Sequence, residues 1–119
     1  MKIGVPSEIK AQESRVGLTP LSVQELTNHG HEVLIQDNAG FGAGFENEDY
    51  QKVGAHIAPT AGDVFNDSDM IVKVKEPQSE EVSMLRENQL LFTYLHLSAA
   101  PKLTKGLVES KSICIAYET

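Results

Sequence analysis

Three side chains suited to holding a small acid and moving its proton stand at or beyond the ends of three apolar runs. Arg15 lies in the polar stretch after Lys2-Ile-Gly-Val5. Lys75 closes Met70-Ile-Val-Lys-Val-Lys75 ahead of Glu76-Pro77, and His96 closes Leu90-Leu-Phe-Thr-Tyr-Leu-His96 ahead of small residues and Pro101. A guanidinium clasps a carboxylate through two parallel hydrogen bonds. A lysine at the last position of a strand points at the rim of the sheet, and two like charges there favour an anion between them. Histidine titrates near neutrality, and a placed general acid or base contributes on the order of 10²- to 10⁴-fold in rate. Tyr94 shares a strand face with His96 by the two-residue period and could pack or donate its hydroxyl. Each residue also has an ordinary reading. Arg15 could be a solvated charge, Lys73 and Lys75 could snorkel together past the sheet edge, and His96 could be capped by a carbonyl.

These groups converge only if parallel strands deliver them to one edge. Strands are expected over residues 2–5, 32–36, 56–58, 70–75, 90–96 and 112–117. Between them the sequence predicts helices. One opens on Thr19-Pro20, with threonine as N-cap and proline first in the helix, and stops at Gly30. Others follow from the acidic segment at Glu46 to about Val53, over residues 61–66 capped by Thr60, from Ser79 to about Glu87, and from Pro101 to Glu109. Repeated strand–helix alternation without a tight hairpin signal implies an α/β fold: a doubly wound, mainly parallel sheet with helices on both faces. A flavodoxin-like strand order, with the sixth strand added at the far side, is the expected topology. In such sheets ligands collect outside the carboxyl ends of the strands, where Arg15, Lys75 and His96 fall. Residues 6–19 are long and polar for a strand-to-helix connection, which often marks a functional loop.

A chain of 119 residues makes one domain, and its net charge of −7 without a basic run argues against nucleic acid or an anionic membrane surface. No stretch approaches membrane-spanning length, and the N-terminus carries no apolar signal-like core. Cys114, in a β-branched run, is expected to be a buried reduced thiol, consistent with the cytoplasm. Gly40-Phe-Gly-Ala-Gly44 follows a strand and precedes a helix, but its spacing fails the dinucleotide fingerprint because Phe45 or Asn47 stands where the third small residue belongs. It reads as a flexible loop. His29, His31 and His56, with Asp63, Asp67 and Asp69, form no convincing metal set, so no metal is expected.

The motifs Ile3-Gly-Val-Pro-Ser-Glu8-Ile-Lys10 and Glu13-Ser-Arg15-Val-Gly-Leu-Thr-Pro20 resemble the opening of the alanine dehydrogenase and pyridine nucleotide transhydrogenase family. Gly30-His-Glu-Val-Leu-Ile35, Val72-Lys-Val-Lys-Glu-Pro77, Phe92-Thr-Tyr-Leu-His-Leu97 and Ile115-Ala-Tyr-Glu-Thr119 carry the resemblance along the whole chain. His96 places it with the dehydrogenases, since transhydrogenase subunits lack a histidine in that segment. The resemblance implies a substrate-binding N-terminal domain for the reversible, NAD-dependent conversion of L-alanine to pyruvate and ammonia. It also implies roles: Arg15 binding the substrate carboxylate, Lys75 its carboxylate or carbonyl oxygen, His96 shuttling protons, and Tyr94 near the substrate. The NAD-binding domain of the family lies outside residues 1–119. The chain is accordingly expected to be the first part of a longer, oligomeric (in the family hexameric) protein, inactive alone and prone to self-association through surface left uncovered. A transhydrogenase segment and a non-catalytic anion-binding or assembly module are the alternatives. A phosphate-receiver domain fits poorly, lacking the acidic pair after the first strand.

Overall fold

Short runs rich in valine, isoleucine and leucine are poorly satisfied at a surface, and here they pair into one sheet whose central strands are buried from both sides. The computed structural model describes residues 1–95 and 101–116. Among these the strands are β1 (Lys2–Val5), β2 (Glu32–Gln36), β3 (His56–Ala58), β4 (Met70–Val72), β5 (Leu90–Thr93) and β6 (Ile113–Ala116). The helices are α1 (Pro20–Asn28), α2 (Asn47–Gln51), α3 (Ala61–Asp67), α4 (Ser79–Val82) and α5 (Pro101–Ser110).

All strand pairs are parallel, in the order β3-β2-β1-β4-β5-β6. The three-layer, doubly wound architecture is the expected one, but the strand order is not that of flavodoxin. β3 lies outside β2, and β4 takes the place beside β1. Burial explains the difference. β3 exposes His56 and half-exposes Ile57, which suits an edge, whereas Ile71 and Val72 of β4 are buried and need neighbours on both sides.

Right-handed crossovers put the first two helices on one face and the rest on the other. Val23 of α1 and Tyr50 of α2 pack with Ile3, Val5, Val33 and Ile35. Val64 and Phe65 of α3 and Leu107 of α5 pack with Ile71 and Leu91 on the opposite side. Cys114 packs toward this second cluster and is a free thiol, half-buried rather than fully enclosed. By alternation Ile113 and Ile115 face the first side, where they remain 48% and 42% exposed.

Several elements are shorter than their sequence pattern. β4 ends at Val72 rather than at position 75, and β5 ends at Thr93 rather than at 96. α4 is one turn, ending at Val82 instead of near Glu87, and α2 ends at Gln51. Strand length counts ladder pairing, and beyond Val72 the N–H groups of Val74 and Lys75 go to a side chain instead. The expected end of the last strand at Tyr117, and His96 itself, lie outside the described residues.

Candidate functional site

The strand order reverses between β1 and β4, so the crevice of an open α/β sheet belongs outside the carboxyl ends of these two strands. Residues 6–19 leave β1 on one flank, carrying Arg15, and residues 73–78 leave β4 on the other, carrying Lys75. Tyr94 follows β5, the next strand over.

A buried group of charges joins the flanks. The Glu8 carboxylate accepts from the Lys73 ammonium at 3.1 Å, from the Val74 N–H at 3.1 Å and from the Lys75 N–H at 3.0 Å. Lys73 also lies 3.0 Å from Glu81, which accepts the Gln78 N–H through its other oxygen. The side chains of Glu8, Lys73 and Glu81 are only 1–2% exposed. The Lys73 reading as a snorkelling charge is therefore corrected. Its ammonium is enclosed because two carboxylates meet it there, and only the neighbouring position 75 reaches the rim. Burial pushes the Glu81 carboxyl above its ordinary value, against the pull of Lys73.

Further tethers hold residues 6–19 in place. The Ser7 N–H donates to the Gln36 side chain at 2.8 Å, and Lys10 pairs with Glu76. The Tyr50 hydroxyl donates to the Leu18 carbonyl at 2.8 Å, and burial pushes its pKa up to about 12, so the donor stays protonated at neutral pH. Gly17 lies against β4 so closely that a Cβ there would stand 2.5 Å from the Val72 carbonyl oxygen.

Arg15 meets a carboxylate within its own loop. Its Nε and Nη2 donate to the two oxygens of Glu13 at 2.9 and 2.8 Å, and its backbone N–H adds a third bond at 2.8 Å. Glu13 is 6% exposed at the side chain and Arg15 62%. The hydrogen bonds from Arg15, aided by its charge and that of Lys75, hold the Glu13 carboxyl well below its ordinary value, down to about 2. The Glu13 carboxylate in turn pushes the Arg15 guanidinium above its ordinary value. The anion that Arg15 clasps is thus the chain's own Glu13. A cleft of about 210 Å³ opens beside Arg15, lined by Ser7, Glu8, Glu13 and Asn38 among others; Lys75 and Tyr94 are not among its lining residues.

Glu13, Glu8 and Glu81 were not singled out in the sequence as site residues. A lysine inside an apolar strand run is a usable signal, because a buried ammonium must find carboxylates. Glu13 carries the weaker signal of an acid two residues from an arginine.

The glycine-rich segment, expected to be a loop, contains a 3₁₀ turn over Phe41–Ala43. A Cβ at Gly40 would stand 2.7 Å from the Tyr50 ring, and one at Gly42 would stand 3.0 Å from the Ser14 carbonyl oxygen. The small residues at 40 and 42 admit the chain's own Tyr50 and Arg15 loop. His29 Nδ1 bonds the Glu25 carbonyl at 2.8 Å, and His31 faces the N-terminal amine. No described helix is long and apolar enough to cross a membrane.

A six-stranded parallel sheet of this order, with helices on both faces, defines a doubly wound α/β domain. The family described as alanine dehydrogenase/PNT, N-terminal domain, matches residues 4–119, and the chain belongs to it. It is 52% identical over its full length to alanine dehydrogenases of Halomonas elongata and Staphylococcus epidermidis, spanning 32% of each. A solved L-alanine dehydrogenase superposes with a TM-score of 0.97 at 52% identity, the chain spanning 33% of it. A transhydrogenase of Sinorhizobium meliloti superposes at 0.91 with 24% identity over 98% of the chain and 34% of its own, a likeness of fold. The chain thus spans about a third of the length of these relatives.

Proposed function

We propose that these residues form the substrate-binding N-terminal part of an NAD-dependent L-alanine dehydrogenase, which interconverts L-alanine with pyruvate and ammonia. The observation that carries this reading is the placement of Arg15 and Lys75 on loops leaving the two strands at the sheet's switch point, with Glu8 of the first loop bonded to the Lys75 N–H. The identity to alanine dehydrogenases over the whole chain supports the substrate. The lower identity to the transhydrogenase favours the dehydrogenase branch.

In this reading Arg15 receives the substrate carboxylate on its Nη1 edge, since Glu13 holds the Nε–Nη2 edge. Lys75 hydrogen-bonds the carboxylate or the 2-oxo oxygen and draws electron density toward it, activating the carbon for attack by ammonia. His96 exchanges the protons that formation and hydrolysis of the imine require. Tyr94 borders the same space. NAD accepts the hydride and is bound outside these residues. The protein works in the cytoplasm as a homo-oligomer.

Pyruvate titrated into the isotope-labelled chain tests the site by NMR. Saturable shifts are expected at Arg15, Lys75 and His96, lost at least tenfold in affinity in Arg15→Ala because a bidentate charge-assisted contact is removed. Shifts elsewhere, or an unaltered affinity in the variant, would refute the assignment.

A further inference from the structure

Arg15 and Lys75 bring two positive charges to the crevice, while the ligand proposed above carries one negative charge. Glu13 supplies the difference. It is bound through both oxygens by Arg15, and the Lys75 charge acts on the same carboxylate. The neighbouring charged side chains have partners of their own: Lys73 meets Glu8 and Glu81, and Lys10 pairs with Glu76. Within the trio of Arg15, Lys75 and Glu13, two cations and one carboxylate leave one positive charge.

We propose that Glu13 is a specificity-determining residue that cancels one of the two cationic charges, so that the crevice accepts a monoanionic acid and disfavours a dianionic one. This rests on the function proposed above and deepens it by naming the ligand charge the site selects. A second ligand carboxylate would lie near the Glu13 oxygens without a cation of its own. Because both classes of ligand use the same Arg15 edge, any loosening of Arg15 in a variant weakens both and leaves their ratio unchanged.

The test uses propionate and malonate, a monoanion and a dianion at pH 7.5 with the same number of carbons, alongside pyruvate. Each is titrated by NMR into the wild-type chain, Glu13→Gln and Glu13→Ala. The malonate-to-propionate affinity ratio is expected to rise roughly three- to tenfold in both variants at low salt, the size of one charge interaction at a partly solvated site. That rise should fade in concentrated sodium chloride, whereas a change of shape would persist. An unchanged or falling ratio overturns the inference even where pyruvate binds as proposed. A raised ratio with no binding of pyruvate upholds charge selection and refutes the alanine–pyruvate reading. Absence of binding by all three acids refutes both.

Discussion

Replacing Lys73 by methionine removes the one ammonium between Glu8 and Glu81 while keeping most of the side-chain volume. All three side chains are 1–2% exposed, so solvent cannot take the ammonium's place. Breaking a buried ion pair by deleting one partner costs about 3–5 kcal/mol, mostly because the other charge is left uncompensated. Against a total stability of about 5–15 kcal/mol, that is a large fraction. For a domain of this size it corresponds to a fall in Tm on the order of 10–25 °C. Urea titration of wild type and Lys73→Met at several pH values measures it. The pH dependence has a definite sign. Burial raises the folded Glu81 carboxyl above its ordinary value of 4.5, so stability is fully present below that value and declines as pH rises through the folded one. Lys73 opposes the rise, and its loss lets the decline deepen. The deficit of the variant is therefore smallest near pH 4 and grows toward neutrality. A deficit below about 1 kcal/mol at pH 7, or one independent of pH, would show that the carboxylates do not depend on Lys73.

Two further outcomes follow from the same loop. Gly17→Ala places a methyl group 2.5 Å from the Val72 carbonyl oxygen, so the Arg15 loop must lift off β4. A loss of about 1–3 kcal/mol in thermal or urea unfolding is expected, together with altered amide shifts at Lys75; wild-type behaviour in both would contradict the packing. The Glu13 carboxyl, followed by carbon-detected NMR, should titrate near 2 rather than at 4.5, and return toward the ordinary range in Arg15→Ala. Because its folded value is depressed, the stability it contributes is present above 4.5 and is lost as pH falls toward 2; a midpoint above 4 in the wild type would dismiss the Arg15 clasp.

The sequence carries the layers of this fold because apolar strand runs alternate with capped helices, and Thr19 and Thr60 cap α1 and α3 as their types predict. Strand order was less legible, since it depends on which strand tolerates an edge. The exposed His56 in β3 held that information, but only relative to the apolar run at 70–72. Of the candidate site, Arg15 and Lys75 were readable as rim residues from their positions beyond strands. The carboxylates that organise them were not. Glu8 is 65 residues from Lys73 and Glu81 eight, distances over which periodicity says nothing. The role of the glycines at 40 and 42 was not legible for a similar reason. Their smallness serves contacts with Tyr50 and Ser14 that only the folded chain reveals.

What positions the site is thus the anchoring of one irregular loop rather than any regular element. Ordering each backbone residue costs about 1–2 kcal/mol in conformational entropy, and residues 6–19 have no helix or strand bonds to offset it. Tethers to two strands or their extensions and to one helix do so instead: Gln36 at the end of β2, Lys73 to Lys75 beyond β4, and Tyr50 on α2 beneath. Glu8 contributes most, because one carboxylate satisfies two backbone N–H groups and an ammonium at once. Fixing the loop and fixing Lys75 are then a single event. Arg15 and Lys75, 60 residues apart in sequence, thereby come to stand on joined loops that leave two adjacent strands.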